Sequence, residues 1–478
     1  MKIANTLRDR YNSKNVLAFE WVLAIAVGVL VFITTAYDDG ATLTIWSTNV
    51  WDVTLDSNIR HLYELTAQNI HNTHSHYMGS ELMSVLPWSI WNLPIWAIQR
   101  FCGIEIITSP LLLAWSKLFL VFLTAIMLRY TYLIGMQLTN DRTKSMLCVF
   151  LTASSVGTYM SVCYAGQNDI LMMLPSVMAV YYLLKGNKKA FYIWSIVAIS
   201  IKPFYVLAFL AVLMLFEKSI PKIFLKLLLS VSGIVAQKLL FWGAPMYSES
   251  MEKGPSSKLL EEMFPKNLNT SFGPISFFAI ALVLIYFYCY TRKLKETDAD
   301  FAKYVIYIIG VTYTLYLMFS PFSYYRIFII APFVYLIMVQ NSEIIKYNVI
   351  LETVYSAAIM MKLILRGSRF FLVDSVNGSL VQGLFGFNVD GASAYHPSVQ
   401  ELLIAKLPLL DSLQPLFSGI AFISLLLILV LNNPVKKFNL PTFGKENPRI
   451  WIWLRTIIFV PFVLLLVALF LKCEYRIY

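Results

Sequence analysis

Apolar segments of about 20 residues recur along the whole chain, and they restrict its fold more than any other feature. A helix needs roughly 20 apolar residues to cross the ~30 Å hydrocarbon core of a bilayer. The composition agrees, because 58% of the 478 residues are hydrophobic and only 14% are charged. Lipid offers backbone groups no hydrogen-bond partner, so spanning segments must be helical. The sequence therefore predicts an all-α polytopic integral membrane protein.

The lengths of the apolar segments predict about thirteen transmembrane helices. The first, at residues 16–37, follows a basic tail and is too long for a signal-peptide core, so we expect it to be a retained anchor. The others are expected at 110–134, 144–163, 168–184, 189–201, 203–216, 222–241, 273–291, 303–320, 324–340, 346–365, 414–431 and 451–471.

Lysine and arginine concentrate in alternate short loops when the amino terminus is placed in the cytoplasm. Cytoplasmic loops of membrane proteins carry this excess of positive charge. It explains much of the net charge of +11 without nucleic acid, for which no binding motif is present. We therefore expect residues 1–15 to form a cytoplasmic tail. The expected location is the plasma membrane, or the endoplasmic reticulum membrane in a eukaryote.

This topology places residues 37–109, 164–168, 242–272 and 366–413 on the outer face. Long loops of compact proteins are usually functional. We expect residues 16–365 to form the core with the loops 37–109 and 242–272, and residues 414–478 to hold the last two spans.

Two segments depart from simple spanning helices. The segment from Leu82 to Gln99 carries three tryptophans and two prolines, which favours a helix lying at the membrane interface. The helices at 189–201 and 203–216 are short and meet at Lys202-Pro203, which predicts a broken or re-entrant hairpin.

Acidic residues gather where the chain leaves the first span. Asp38 and Asp39 follow it directly, and Asp52 and Asp56 lie one helical turn apart in the same loop. A carboxylate at the interface can act as a general base, because partial desolvation raises its pKa. Position favours Asp38 and Asp39, with Asp52 as the alternative. A solvated turn that caps a helix explains the spacing of Asp38 and Asp39 equally well.

Three other polar features lie at predicted outer ends of spans. The run GQND at 166–169 could bind a hydroxylated ligand, or Asn168 or Asp169 could cap the next helix. Lys202 lies between two apolar half-helices, where a cation is usually functional unless it extends to lipid phosphate. Arg326 ends the turn SPFSYYR at 320–326 and suits a phosphate, or it serves as an interfacial anchor.

No metal site is predicted. The histidines His71, His74 and His76 match no zinc signature, and the five cysteines are scattered mostly through apolar segments. A solvated polar turn is the favoured explanation of the histidines.

Taken in order, these features resemble the GT-C superfamily of membrane glycosyltransferases. There, an essential acid lies in the first outer loop, followed by interfacial helices. GQND at 166–169 and IKPF at 201–204 are similar to the G-Q-x-[ND] and I-K-x-P elements of the polyprenol-phosphate-mannose-dependent branch. SPFSYYR is similar to the Ser-Pro-x-Ser turn of that branch. The branch tends to carry a histidine-containing run after this turn, where this chain has Tyr325 and Arg326.

The resemblance implies transfer of a single sugar, with inversion, from a polyprenyl-phosphate donor to a cell-surface glycan or lipid-linked acceptor on the outer face. A divalent cation is left open as a cofactor. We expect the loop 366–413, with Arg366, Arg369 and His396, to shape the acceptor site. The residues expected to act are Asp38, Asp39 or Asp52 as base and Lys202 and Arg326 at the donor phosphate. Trp51 is expected at the sugar, and Gln167, Asn168 and Asp169 are expected to orient the sugar or the base.

Two other functions use similar membrane proteins. A lipid-linked oligosaccharide flippase or exporter would carry ionisable groups along a central path. The predicted spans contain few charged residues, which favours the enzyme over the flippase or exporter. These residues are Lys117, Arg129, Lys226, Lys238 and Lys362. A polysaccharide polymerase or ligase differs in its donor, which is a pyrophosphate-linked oligosaccharide.

Overall fold

The structure is a computed structural model, and it is mainly helical. It describes residues 16, 18–34, 38–73, 77–103, 110–254, 263–264, 266–271, 273–292, 294–320, 323–365, 407–435, 438 and 449–460.

The described residues form α-helices, which are numbered here in chain order. They are α1 (Ala18–Thr34), α2 (Asp38–Asp56), α3 (Leu62–Thr73), α4 (Leu86–Trp91), α5 (Leu93–Cys102), α6 (Pro110–Thr139), α7 (Arg142–Ala153), α8 (Val156–Tyr164), α9 (Asp169–Leu184), α10 (Lys188–Ile201), α11 (Tyr205–Phe216), α12 (Ile220–Ser230), α13 (Ser232–Leu240), α14 (Tyr247–Lys253), α15 (Phe277–Thr291), α16 (Phe301–Phe319), α17 (Ala331–Gln340), α18 (Ile345–Leu365), α19 (Leu409–Ser412), α20 (Gln414–Leu431) and α21 (Arg449–Ile457).

Four helical segments of the described part are long and apolar enough to cross a membrane. They are Leu113–Thr139, Ile220–Leu240, Phe301–Phe319 and Gln414–Leu431. The pair α7 and α8, bent by 43°, adds a fifth if it is counted as one span. Membrane-spanning helices are therefore present by length and composition, whereas the total of about thirteen stays a prediction.

Two of the helix breaks fall at prolines. The break predicted at Lys202-Pro203 is confirmed, since α10 ends at Ile201 and α11 begins at Tyr205. The single helix predicted over Leu82 to Gln99 is instead a short 3₁₀ turn followed by α4 and α5. Each of these two helices has a proline in its first turn, where the missing N–H is tolerated.

A short hairpin interrupts the all-helical pattern. Strand β1 (Asn267–Thr270) pairs antiparallel with β2 (Gly273–Ser276), with Asn267 opposite Ser276. The hairpin lengthens the loop predicted at 242–272, so α15 begins at Phe277 rather than at residue 273.

The chain divides into two compact units. The terminal unit comprises Met1–Ala36, Leu128–Tyr164 and Ile327–Tyr478, and the central unit comprises Tyr37–Met127 and Ala165–Arg326.

A buried polar network fixes α2 within the central unit. Ser116 of α6 lies 2.7 Å from the Thr44 hydroxyl and accepts a 2.7 Å hydrogen bond from Trp88 Nε1. Asn92, between α4 and α5, donates to Ser47 Oγ and Ser116 Oγ at 2.9 and 3.0 Å. Buried polar groups stay stable only when they are paired in this way. The network therefore holds α2 in one orientation.

Buried charges join helices within the terminal unit. Arg455 of α21 is fully buried, and its Nε donates a hydrogen bond to Glu352 of α18. Its other nitrogens donate to Ser154 Oγ at 2.6 Å and to the Leu151 carbonyl at 2.8 Å. Tyr335 donates a 2.6 Å hydrogen bond to Glu352. Because both charges are paired, the network can persist in an apolar interior.

Candidate functional site

A side-chain hydrogen bond joins Asp39 and Gln167 within the central unit. The GQND loop turns at Gly166, whose φ is +62°, a conformation that glycine adopts without strain. A Cβ on Gly40 would lie 3.3 Å from the carbonyl oxygen of Ala165, so the start of α2 and the GQND loop are in close backbone contact. Across this contact, Gln167 Nε2 donates a hydrogen bond to Asp39 Oδ2.

The second half of the site is an ion pair between Asp169 and Lys202. Asp169 begins α9, and Lys202 caps α10 with extended backbone at φ −138° and ψ 110°. Lys202 Nζ bonds Asp169 Oδ1, and the two side chains are 22% and 2% exposed. Within the described part of the chain, no group donates a hydrogen bond to the buried Asp169 Oδ2. A buried carboxylate oxygen normally has a donor, so this atom can accept one from a ligand.

Arg326 lies in the same cluster. It belongs to the 3₁₀ segment Tyr324–Ile330, which follows the end of α16. Tyr325 interacts electrostatically with Asp39, Arg326 and Asp169. Tyr316 of α16 interacts with Arg326 and Asp169. The structure thus gathers five predicted site residues from separate parts of the chain: Asp39, Gln167, Asp169, Lys202 and Arg326.

Lys117 is a site residue that the sequence reasoning missed. It lies on α6 with 6% of its surface exposed, and its Cγ is 3.5 Å from the position that a Cβ on Gly166 would occupy. The available signal was a single lysine inside a long apolar segment, since cations at membrane depth are usually functional. Lys117 places a third cation beside the GQND loop.

Positive charge exceeds negative charge among the described side chains of this cluster. The cations are Lys117, Lys202 and Arg326, and the carboxylates are Asp39 and Asp169. A surplus of one positive charge among these side chains, in a partly buried site, suits an anionic ligand, because Coulomb interactions strengthen as water is excluded. Phosphate is one of the anions, with carboxylate, that arginine and lysine bind through charge-assisted hydrogen bonds.

The remaining residues of the first loop and of GQND have different positions. Asp38 begins α2, but its side chain lies outside the described residues. Asn168 is buried at the N-cap position of α9, and its side chain makes no capping hydrogen bond. The Asp169 carboxylate accepts a hydrogen bond from Lys202 instead. The alternative that GQND serves only as a helix cap is therefore not supported by the contacts.

Asp52 and Trp51 lie away from the cluster. Asp52 is thirteen residues beyond Asp39 on α2, which is about 20 Å along a helix axis. Trp96 Nε1 donates a 2.7 Å hydrogen bond to Asp52 Oδ1. Partial burial raises the pKa of Asp52, while the Trp96 hydrogen bond and the charge of Arg100 oppose the increase. Asp52 therefore remains a separate candidate base with surroundings of its own.

Several expected residues fall outside the described part of the chain. Of the histidine run, His74 and His76 are not described, and neither is the side chain of His71. The acceptor-site residues Arg366, Arg369 and His396 are also not described. In the part that is described, no three His, Cys, Asp or Glu residues are grouped so as to hold a metal ion.

The chain was compared with protein-family models, with curated proteins and with solved structures, and none gives a significant match. The assignment of a function therefore depends on the residues of the site themselves.

Proposed function

We propose that this protein is a membrane glycosyltransferase that moves one sugar from a polyprenyl-phosphate donor to a glycan or lipid-linked acceptor outside the cytoplasm. One observation carries the proposal. A carboxylate held by an amide, Asp39 with Gln167, shares a partly buried cluster with the cations Lys202 and Arg326. General base and phosphate-binding cations are the two parts that this reaction requires.

Asp39 is assigned as the general base. Its carboxylate takes the proton of the acceptor hydroxyl, and the hydroxyl oxygen forms a bond to the anomeric carbon of the donor. The bond from that carbon to the phosphate oxygen breaks, and its electron pair leaves with the polyprenyl phosphate. Attack opposite to the leaving group inverts the anomeric centre. Gln167 fixes the orientation of the carboxylate, which general-base catalysis needs.

The cations are assigned to the leaving group. Lys202 donates a hydrogen bond to Asp169. A donor phosphate would therefore bind this lysine either together with the carboxylate or in place of it. Arg326 and Lys117 supply further positive charge at the same cluster. Charge develops on the phosphate as the glycosidic bond breaks, and fixed cations stabilise that charge most in a site with little water.

Transfer of radiolabelled sugar by the purified full chain tests the proposal. The donors are a panel of synthetic polyprenyl-phosphate monosaccharides, and the acceptor is membrane-extracted glycan. We expect transfer from at least one donor, with a decrease of about 100-fold or more in Asp39→Asn. Asp38→Asn and Asp52→Asn, assayed in parallel, identify the base if it is another carboxylate. Asp298→Asn, which changes an exposed acid of the central unit, should transfer normally.

The opposite result would be transfer from no donor, together with normal surface glycan in cells that carry Asp39→Asn. That result would favour a flippase, an exporter or a polymerase. The buried charges of the terminal unit are the observation that favours a transporter. However, Arg455 and Glu352 are satisfied by neighbouring groups, which fits a static connection between helices.

A further inference from the structure

A second group of polar and aromatic side chains lies at the far end of α2 from Asp39. We call it the Asp52–Trp96 patch and define it as Trp51, Asp52, Leu55, Trp96 and Phe101. Leu55 and Phe101 are 62% and 80% exposed, and the other three are half-buried. The patch therefore presents a carboxylate and several aromatic rings at the surface of the central unit.

Hydrogen bonds fix the orientation of both indoles. Trp96 Nε1 donates to Asp52 Oδ1 at 2.7 Å, and Trp51 Nε1 donates to the Ser89 carbonyl at 2.8 Å. The two ring centroids are 6.4 Å apart, and Phe101 meets Trp96 edge-on at 6.3 Å. Rings held in this way lose little entropy when a ligand packs on them.

The charge of the patch restricts what it can bind. The Asp52 carboxylate is half-buried, and burial raises its pKa. Arg100 forms a two-fold ion pair with Asp56, at 2.9 and 3.0 Å, so its charge is already engaged. An anionic lipid headgroup would be repelled by Asp52, and hydrocarbon would offer this carboxylate no hydrogen bond beyond the one from Trp96. A ligand with hydroxyl groups and apolar ring faces satisfies both the carboxylate and the indoles.

We propose that the Asp52–Trp96 patch is a carbohydrate-binding subsite for the part of an oligosaccharide acceptor that lies farthest from the point of transfer. This inference rests on the proposed function. The distance of about 20 Å from Asp39, given by the helical rise, means that only an acceptor of several sugar units occupies both places. The proposal thus names the acceptor class as an oligosaccharide.

Binding in the absence of donor tests the proposal. The full chain in lipid nanodiscs is titrated with neutral oligosaccharides of one, two, four and six hexose units, observed by saturation-transfer NMR. We expect the longer ligands to bind. Asp52→Asn and Trp96→Phe should each weaken that binding about tenfold. This is the usual effect of losing one hydrogen bond to a charged group. Trp115→Phe, which changes an indole that is 38% exposed in the same unit, is the control.

Two results would overturn the proposal: binding of no oligosaccharide by the wild type, or equal binding by Trp96→Phe, Asp52→Asn and the control. Equal binding would assign the patch to the membrane interface. The failure of the proposed function looks different, because it would abolish transfer to short acceptors in the wild type. If both proposals hold, Trp96→Phe raises the KM for long acceptors about tenfold relative to the KM for short acceptors.

Discussion

Gln167 donates a hydrogen bond to Asp39, although 128 positions separate the two residues in the sequence. The contact ties the start of α2 to the GQND loop and orients the carboxylate that we assign as base.

Gln167→Glu should therefore lower transfer strongly. It replaces the donor on Asp39 by a second carboxylate, and like charges in a half-buried site repel each other and raise the pKa of one of them. We expect kcat/KM to fall about 10-fold to 100-fold while the protein remains folded. The measurement is transfer of radiolabelled sugar, and Gln68→Glu on an exposed face of α3 is the matched control. Normal transfer by Gln167→Glu would remove Asp39 from the mechanism.

Loss of Lys202 should destabilise the central unit more than loss of both partners of its ion pair. Lys202→Met leaves the Asp169 carboxylate buried without its cation, a change that typically costs about 3 kcal/mol. In the double variant Asp169→Asn, Lys202→Met, neither charge of the pair remains. We expect the double variant to unfold at a higher temperature than Lys202→Met alone. Lys185→Met, at an exposed lysine, should unfold like the wild type.

Lys117 should matter for the donor rather than for folding alone. Lys117→Met keeps the length and apolar stem of the side chain but removes a cation beside Gly166. We expect KM for the polyprenyl-phosphate sugar to rise about tenfold, equivalent to about 1.4 kcal/mol. Lys117→Arg should retain most of the affinity. Steady-state kinetics with varied donor measure both effects, and a lower unfolding temperature with unchanged KM would make Lys117 structural.

Glu81 should make the stability of the central unit depend on pH. Burial raises the pKa of Glu81 above its ordinary value of 4.5, although Lys238 and a hydrogen bond from Tyr247 oppose this. Tyr63 is a further titratable group beside Glu81, and it interacts electrostatically with both Glu81 and Tyr247. Between 4.5 and the raised pKa, the folded protein binds more protons than the unfolded chain. Stability therefore increases as the pH falls through this window.

Glu81→Gln should remove that dependence and raise the unfolding temperature at pH 7, because no charge then has to be buried. Thermal unfolding in detergent between pH 5 and 8 is the measurement. Glu64→Gln, at a more exposed acid of α3, is the matched control. A wild-type stability that increases with pH in this window would show that Glu81 is not the group responsible.

Arg455→Leu should destabilise the terminal unit by about 3 to 5 kcal/mol, since Glu352 would stay buried without its partner. The double variant Arg455→Leu, Glu352→Gln should recover part of this loss. Denaturation in detergent compares the three proteins. Equal stability of Arg455→Leu and the wild type would contradict the assigned role of the ion pair.

The sequence contained strong local signals for some of these features and weak ones for others. Lys202-Pro203 marks the helix break because proline lacks an N–H and a lysine is rare between apolar helices. Asp39, Gln167, Asp169 and Arg326 were each suggested by a short motif. Their meeting in one cluster depends on contacts over long separations, which a motif does not encode.

Other features had only an ambiguous signal. Lys117 resembled a lysine whose charge extends to a membrane surface, and only its contact with the GQND loop distinguishes it. Pro94 marks the break between α4 and α5, but the hydrogen bonds that Asn92 forms there to α2 and α6 are not encoded by any local motif. Asp52 resembled Asp39 in sequence because both follow the first span, and the helical path of α2 is what separates them.

The arginines of α21 also bear on the order in which the protein folds during synthesis. Arg449 pairs with Glu20 of α1 at 3.2 Å, and Arg455 pairs with Glu352 of α18. Both glutamates leave the ribosome before their partners do, Glu20 by more than 400 residues. Until α21 is made, these acids need water or other polar groups in place of their arginine partners. The terminal unit is therefore completed late, however early its first helix is made.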